Sequence, residues 1–281
     1  MKFEKHIFKS TPANNENFGP HFLKQEAIQS SLEEICNAWA THLRSHIEQT
    51  KNLPKGSMLP WEDNERAIVS TLSAAIIRKF PQSLVLEECR VKKPGRNSKQ
   101  ESGKSSDSGR CDLWAFIPEL KVASKPVSFY LEAKRSRTSK TTNNLQDYLR
   151  TDRGISRLFN DYLKSNPGKI RKLSPYHNLN DREHPHYVIG MLVMPFERCS
   201  NDPKGDDLYA KFDGILRDVF EKGHAIKVKG NGEGTESERH RRLGRFPTVA
   251  LIFGSQDDRN GMIATFTVFG ATRDLLTKRN D

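Results

Sequence analysis

The sequence predicts an α/β fold, in which helices cover a β-sheet, and three observations lead to that prediction. The segment His186–Phe196 is a nearly continuous apolar run, which is typical of a strand buried on both faces. Apolar residues recur at three- and four-residue steps over residues 206–221, as in an amphipathic helix. Another apolar run, Thr248–Phe253, follows, and residues 262–269 add a final strand. The order strand, helix, strand favours a crossover connection that extends one sheet.

Two further amphipathic helices are predicted in the N-terminal part of the chain. Apolar residues recur at helical spacing over residues 21–50, which indicates one long helix. After a linker that contains Pro and Gly, Asp63 or Asn64 can cap a second helix. Glu62 and Glu65 fall in the first turn of that helix, where acidic side chains complement the helix dipole.

The polar segments of the sequence set the expected domain boundaries. Residues 1–20 are polar and contain two prolines, so we expect a loosely packed arm. Segments 94–110 and 227–246 are rich in Gly and charged residues, have few apolar residues and are expected to be flexible loops. We therefore divide the chain into an N-terminal arm and helix, residues 1–59, and an α/β domain, residues 60–281.

The protein carries an excess of positive charge. It has 46 Lys and Arg against 35 Asp and Glu, so the formal net charge is +11. Between Glu132 and Lys172 there are eleven basic and four acidic residues, a local net charge of +7. Such an excess favours a polyanionic partner, and this stretch is typical of a surface that follows a nucleic-acid backbone. A helix face that is merely solvated is the alternative.

Targeting signals and cysteine pairs are not evident in the sequence. The N-terminal residues lack the apolar core of a signal peptide, so we expect a cytoplasmic protein. No apolar run has transmembrane length and no lipidation signal is present, which argues against a membrane partner. The four cysteines form no C-x-x-C pair, so we expect reduced, mostly buried thiols rather than disulfides or a zinc site.

Two apolar runs in the middle of the chain predict a β-hairpin. Gly109–Phe116 and Ser128–Arg135 each have the composition of a strand. The connection between them, Pro118–Pro126, contains Pro, Ser and Lys, so an antiparallel pair joined by a loose turn is expected.

Two carboxylates and one amine are expected to meet on this hairpin. Glu132 and Lys134 lie on one face of the second strand because side chains alternate along a strand. Asp112 interrupts the first strand, and pairing would bring it toward Glu132. Mg²⁺ takes one or two carboxylates, water and phosphate oxygens, and a neighbouring lysine can orient the attacking water. The alternative is a solvent-facing Glu–Lys pair on an edge strand, with Asp112 in a turn.

The pattern Asp112 followed by Glu132-Ala133-Lys134 at the end of a later hydrophobic strand resembles the PD-(D/E)xK nuclease superfamily, which has the restriction-endonuclease-like fold. Cys111 stands where the family usually has Pro. The resemblance implies a mixed central sheet flanked by helices and Mg²⁺-dependent hydrolysis of nucleic-acid phosphodiesters, with Mn²⁺ as a substitute ion.

The resemblance also implies roles for individual residues. Asp112 and Glu132 would hold Mg²⁺, the Ala133 carbonyl could add a ligand, and Lys134 would position the water. An acidic residue of a preceding helix often completes the family's site. Here Glu65 or Glu62 could supply it, and Glu88, on a predicted strand over residues 83–93, is a reserve candidate.

The implied activity is that of a DNA endonuclease in restriction, defence or DNA processing, acting as a homodimer or as a subunit of a larger assembly. The alternative is a catalytically inactive nucleic-acid-binding or scaffolding subunit that keeps the nuclease-like sheet. Basic residues beside the triplet and in the Arg-rich segment 239–245 are expected to contact nucleic acid. These residues are Arg135, Arg137, Lys140, Arg241 and Arg242.

Overall fold

A computed structural model describes residues 3–10, 25–50, 52, 59–92, 108–122, 124–136, 140–141, 144–145, 149, 186–199, 201–203, 205–221, 225–228, 239–242, 246–255 and 260–271. Three helices are described from end to end: α1 (Gln25–Thr50), α2 (Glu65–Lys79) and α3 (Asp206–Phe220). The described strands are β1 (Phe3–Lys9), β2 (Leu84–Lys92), β3 (Ser108–Val122), β4 (Lys125–Arg135), β5 (Lys140–Thr141), β6 (His186–Glu197), β7 (Ala225–Val228), β8 (Arg239–Arg242), β9 (Thr248–Ser255) and β10 (Asn260–Ala271).

A single mixed sheet is the centre of the fold. Its strands follow the spatial order β1-β9-β10-β6-β4-β3-β2, and β5 also pairs with β6. Neighbours on this path are antiparallel, except that β4 runs parallel to β6. The predicted α/β class, with a mixed sheet flanked by helices, is confirmed. Strands β7 and β8 form a separate antiparallel pair.

Helices cover both faces of this sheet. Helices α1 and α2 pack on one face, in a cluster that includes Leu131, Met191 and Leu251. Helix α3 packs on the other face, in a cluster that includes Leu192 and Ile252. Because apolar residues are needed on both faces, β6 is an almost unbroken apolar run, as the sequence predicted. In the described part of the chain, no helix is long and apolar enough to span a membrane.

The first residues of the chain belong to the sheet. β1 pairs with β9 along its whole length, from Phe3 opposite Ser255 to Lys9 opposite Val249. Phe8 is 1% exposed and packs in the same cluster as α3. The prediction of a loosely packed arm is therefore wrong for residues 3–9, because pairing with β9 orders them. The division of the chain at residue 59 stays a prediction.

The hairpin of β3 and β4 is longer than predicted. The strands continue until Val122 lies opposite Lys125, with a register shift between Ile117 and Lys121. The prediction of a loose turn over residues 118–126 is therefore wrong. Leu120 and Val122 are buried, so the extra length covers apolar surface, and the irregularity accommodates Pro118.

Several other expectations are corrected or fall outside the described residues. Residues 108–110 begin β3, and the end of β7 and all of β8 lie within the predicted loop 227–246, so both loops are shorter than predicted. Residues 94–107 and most of a helix predicted over 143–165 lie outside the described residues, although Leu145 and Leu149 are helical and buried. Cys36 and Cys111 are buried and form no disulfide with another described residue.

Candidate active site

The sheet divides at the point where the predicted site residues lie. β3 and β4 pair as far as Leu113 opposite Leu131, and β4 then continues along β6, with Glu132 opposite Gly190. At this division, the backbone N–H of Ala133 donates a hydrogen bond of 2.7 Å to Oδ2 of Asp112. The Asp112 carboxylate therefore replaces a backbone acceptor and is held against the Glu132–Lys134 triplet. The structure brings Asp112 and Glu132 together.

The amine of Lys134 lies among oxygen atoms of this site. Its Nζ donates to Oε1 of Glu132 and to the carbonyl oxygen of Ala133, both at 2.8 Å. The same Nζ is 3.8 Å from Oε1 of Glu65. The Lys134 side chain is 20% exposed, so it is only partly open to water. Glu132 and Glu65 share this single positive charge.

Helix α2 supplies the fourth predicted residue. Asn64 caps the helix by accepting a hydrogen bond of 2.9 Å from the N–H of Ala67, so Glu65 is its first residue. Oε2 of Glu65 accepts a hydrogen bond of 3.1 Å from the N–H of Arg135. The structure therefore brings Glu65 to the triplet. Glu62 lies in the preceding turn, and its backbone carbonyl accepts a hydrogen bond from Arg135.

Glu88 belongs to β2, which pairs with β3 on the side opposite to β4. The register of β2 and β3 places Glu87 opposite Leu113 and Cys89 opposite Cys111, which puts Glu88 across from Asp112. Glu88 has a φ of 47°, a left-handed conformation that is uncommon for a residue other than Gly. The carboxylate of Glu88 forms an ion pair with Arg66 of α2, a contact that was not predicted from the sequence. The sequence feature that could have indicated it is the position of Arg66, directly after the candidate site residue Glu65.

Burial and mutual repulsion disfavour negative charge at this site. Burial raises the pKa of Asp112, and the charge of Glu88 adds to the rise, while the Ala133 N–H and Lys134 oppose it. Burial also raises the pKa of Glu132, with further contributions from Asp112 and Glu65 and opposition from Lys134. The site is therefore short of positive charge, although it contains one lysine.

The charge of Lys134 is stabilised by its acidic neighbours. Burial alone would lower the pKa of this amine. The hydrogen bond to Glu132 and the charges of Glu132, Glu65 and Asp112 outweigh that effect, so the pKa lies above its ordinary value of 10.5. Lys134 is therefore protonated at neutral pH and donates hydrogen bonds.

The donor atoms at the site have the chemistry that Mg²⁺ requires. Two carboxylates, from Asp112 and Glu132, and the carbonyl oxygen of Ala133 are hard oxygen ligands, and Mg²⁺ completes such sets with water. Among the described residues, no group of three or more His, Cys, Asp and Glu side chains could hold a metal ion. The Ala133 carbonyl accepts a hydrogen bond from Lys134, so an ion and the lysine would compete for this oxygen.

The residues predicted to contact nucleic acid are described to different extents. Nε of Arg135 donates to the carbonyl oxygen of Trp61 at 2.7 Å, and a terminal nitrogen donates to that of Glu62 at 3.0 Å. Arg137 lies outside the described residues. Three others are described by their backbone alone, in β5 and β8: Lys140, Arg241 and Arg242. Their contacts with nucleic acid stay a prediction.

Comparisons with known proteins leave the site to be judged from its own geometry. No family model, no curated protein and no solved structure matches this chain. The resemblance to the PD-(D/E)xK nucleases therefore rests on the residues of this sequence, namely Asp112 and the triplet Glu132-Ala133-Lys134.

Proposed function

We propose that the protein is a Mg²⁺-dependent endonuclease with a restriction-endonuclease-like core and that it hydrolyses phosphodiester bonds in DNA. The observation that carries this proposal is the convergence of Asp112, Glu132 and Lys134 where β3 and β4 separate, with the Ala133 N–H bonded to Asp112 at 2.7 Å. Asp112 lies twenty positions before Glu132 in the sequence, so their meeting depends on the fold. A solvated Glu–Lys pair on an edge strand would not require Asp112 to lie beside it.

The polyanionic substrate is supported by charge. The net charge of +11 favours binding to a chain of phosphates, and the stretch from Glu132 to Lys172 contributes +7 of it. A long basic segment suits an extended polymer better than a small phosphoester, which needs a closed pocket.

The residues of the site have separate roles in this proposal. Mg²⁺, when bound, would polarise a phosphoryl oxygen and lower the pKa of a water molecule. Asp112 and Glu132 would hold the ion, and the backbone bond from Ala133 orients the Asp112 carboxylate for that task. Lys134 is protonated, so it acts as a hydrogen-bond donor that orients water and neutralises charge at phosphorus rather than as a base. Glu65 would add negative charge beside the Lys134 amine.

Cleavage assays test the proposal. Purified protein is incubated with supercoiled plasmid, single-stranded DNA and RNA, each in Mg²⁺, Mn²⁺ or EDTA. We expect nicked and linear plasmid with either metal, with 5′-phosphate ends, and intact plasmid in EDTA. Cleavage that persists in EDTA, or intact nucleic acid under every metal condition, would contradict the proposal.

The ion pair between Lys134 and Glu132 favours a second function, that of a nucleic-acid-binding subunit without catalysis. At 2.8 Å, this pair satisfies both charges with groups of the protein itself. In that case, the protein would shift DNA in a gel with equal affinity in Mg²⁺ and EDTA and would cleave none of the three substrates. Metal-dependent cleavage excludes this second function.

A further inference from the structure

Arg135 connects the end of the catalytic triplet to the segment that precedes α2. Its guanidinium donates to two successive carbonyl oxygens, those of Trp61 and Glu62, at 2.7 and 3.0 Å. A planar guanidinium suits such paired acceptors because its N–H groups diverge in a fixed geometry. The segment 61–62 is thereby tied to β4.

The acceptor segment is itself anchored in the core. Trp61 is 1% exposed and packs edge-on against Phe253, with ring centroids 5.8 Å apart. The N–H of Glu62 donates to the carbonyl of Leu59 at 2.9 Å, which closes a turn before the helix. Arg135 therefore holds a turn of defined shape, and the helix that follows begins three residues after Glu62.

The same residue also contacts the side chain that α2 brings to the site. The backbone N–H of Arg135 donates to Oε2 of Glu65, and Oε1 of Glu65 faces the amine of Lys134. Arg135 thus holds Glu65 at two points, directly through its backbone and indirectly through the turn before α2. Its described hydrogen bonds lead to protein acceptors, although the sequence predicted a phosphate contact.

We propose that Arg135 is a positioning residue, which fixes the start of α2 so that the Glu65 carboxylate lies beside the Lys134 amine of the proposed metal site. This inference rests on the proposed metal-dependent function. A phosphate contact and a positioning role predict different losses on substitution. If Arg135 contacts a phosphate, its substitution lowers the affinity for DNA and reduces the slope of log affinity against log salt concentration by about one unit. If Arg135 is a positioning residue, its substitution lowers the affinity for the metal ion in the absence of DNA.

Calorimetric titration of the full-length protein with Mn²⁺, without nucleic acid, distinguishes the two. We expect Arg135→Ala to weaken Mn²⁺ binding by about tenfold, the lower end of what loss of a supporting contact costs a metal site. Arg135→Lys keeps the charge but lacks the planar fork, so it is expected to weaken Mn²⁺ binding in the same way. Duplex affinity in EDTA and its salt slope should change little in both variants.

A double variant shows whether Arg135 acts through Glu65. In a Glu65→Gln background, Arg135→Ala should cause less than about a twofold further loss of Mn²⁺ affinity, because coupled residues are not additive. The matched control is Arg78→Ala at the opposite end of α2, about 20 Å along the helix from Glu65. It should bind Mn²⁺ like the wild type. Thermal melts confirm that each variant is folded.

The possible outcomes separate this inference from the proposed function. Three results would overturn the positioning role. Arg135→Ala could bind Mn²⁺ with wild-type affinity, it could cause its full loss of Mn²⁺ affinity in the Glu65→Gln background, or the wild type could bind no Mn²⁺. If the coupling between Arg135 and Glu65 is observed but the wild type cleaves no substrate, the positioning role stands and the nuclease proposal fails.

Discussion

Replacing Asp112 by Asn is expected to reduce Mg²⁺-dependent DNA cleavage by about 10³-fold or more, as for the loss of a group that stabilises the transition state directly. The Asn side chain keeps an oxygen that can accept the hydrogen bond from Ala133, so the local backbone should be preserved. What is lost is the negative charge that would hold the ion. Duplex affinity in EDTA should stay within about threefold of wild type, because phosphate contacts come from basic residues.

The same substitution should stabilise the protein at neutral pH. The folded-state pKa of Asp112 is raised by burial, so its contribution to stability is fully present below the ordinary value of 3.8 and is lost as pH rises through the folded-state pKa. At pH 7, the wild type therefore bears a cost that Asn lacks. Thermal unfolding should give Asp112→Asn the higher Tm at pH 7, and the difference should shrink toward pH 4.

The exposed carboxylate Glu34 of α1 provides the control. Glu34→Gln should leave cleavage close to wild type. An Asp112→Asn protein that cleaves plasmid at the wild-type rate would contradict its role as a metal ligand. A lower Tm at pH 7 would contradict the argument from burial.

Replacing Lys134 by Met is expected to reduce cleavage by about 10²- to 10³-fold. Unlike Asp112→Asn, this substitution should destabilise the protein at pH 7. The folded-state pKa of Lys134 is raised, so its contribution to stability is present below its ordinary value of 10.5 and lost as pH rises through the folded-state pKa. At pH 7, Lys134→Met removes that contribution and leaves Glu132 and Asp112 without their shared amine. The Tm should therefore fall at pH 7.

Removing both members of the ion pair tests this explanation. Glu132→Gln added to Lys134→Met should recover part of the lost Tm, because an unpaired, partly buried charge costs more than the absence of both partners. Cleavage should not recover. Lys121→Met, at an exposed position of β3, is the control and should change neither property. Wild-type cleavage by Lys134→Met would remove this lysine from the proposed mechanism.

Local patterns predicted most of the fold. Residues 206–220, 248–255 and 260–271 form a helix and two strands as expected, because each has the apolar spacing of its own structure. β1 was missed because Phe3–Lys9 is short and contains four charged or ionisable residues. Its order comes from pairing with β9, about 240 residues later in the chain. No local pattern reports a partner at that distance.

The candidate site could be predicted in part, for a similar reason. Side-chain alternation places Glu132 and Lys134 on one face, and antiparallel pairing brings Asp112 to them. The acceptors of Arg135 are backbone carbonyls more than seventy residues earlier in the chain. Every residue has a carbonyl group, so the sequence carries no signal for such a contact. A basic residue beside a nuclease-like triplet was therefore interpreted as a phosphate contact.

Anomalous diffraction from a wild-type crystal soaked in Mn²⁺ would show whether Asp112 and Glu132 bind one metal ion together. We expect an anomalous peak within about 2–2.5 Å of carboxylate oxygens of both Asp112 and Glu132, the range for a hard cation with oxygen ligands. No anomalous peak between these carboxylates, with the Lys134 amine still bonded to Glu132 and to the Ala133 carbonyl, would contradict it.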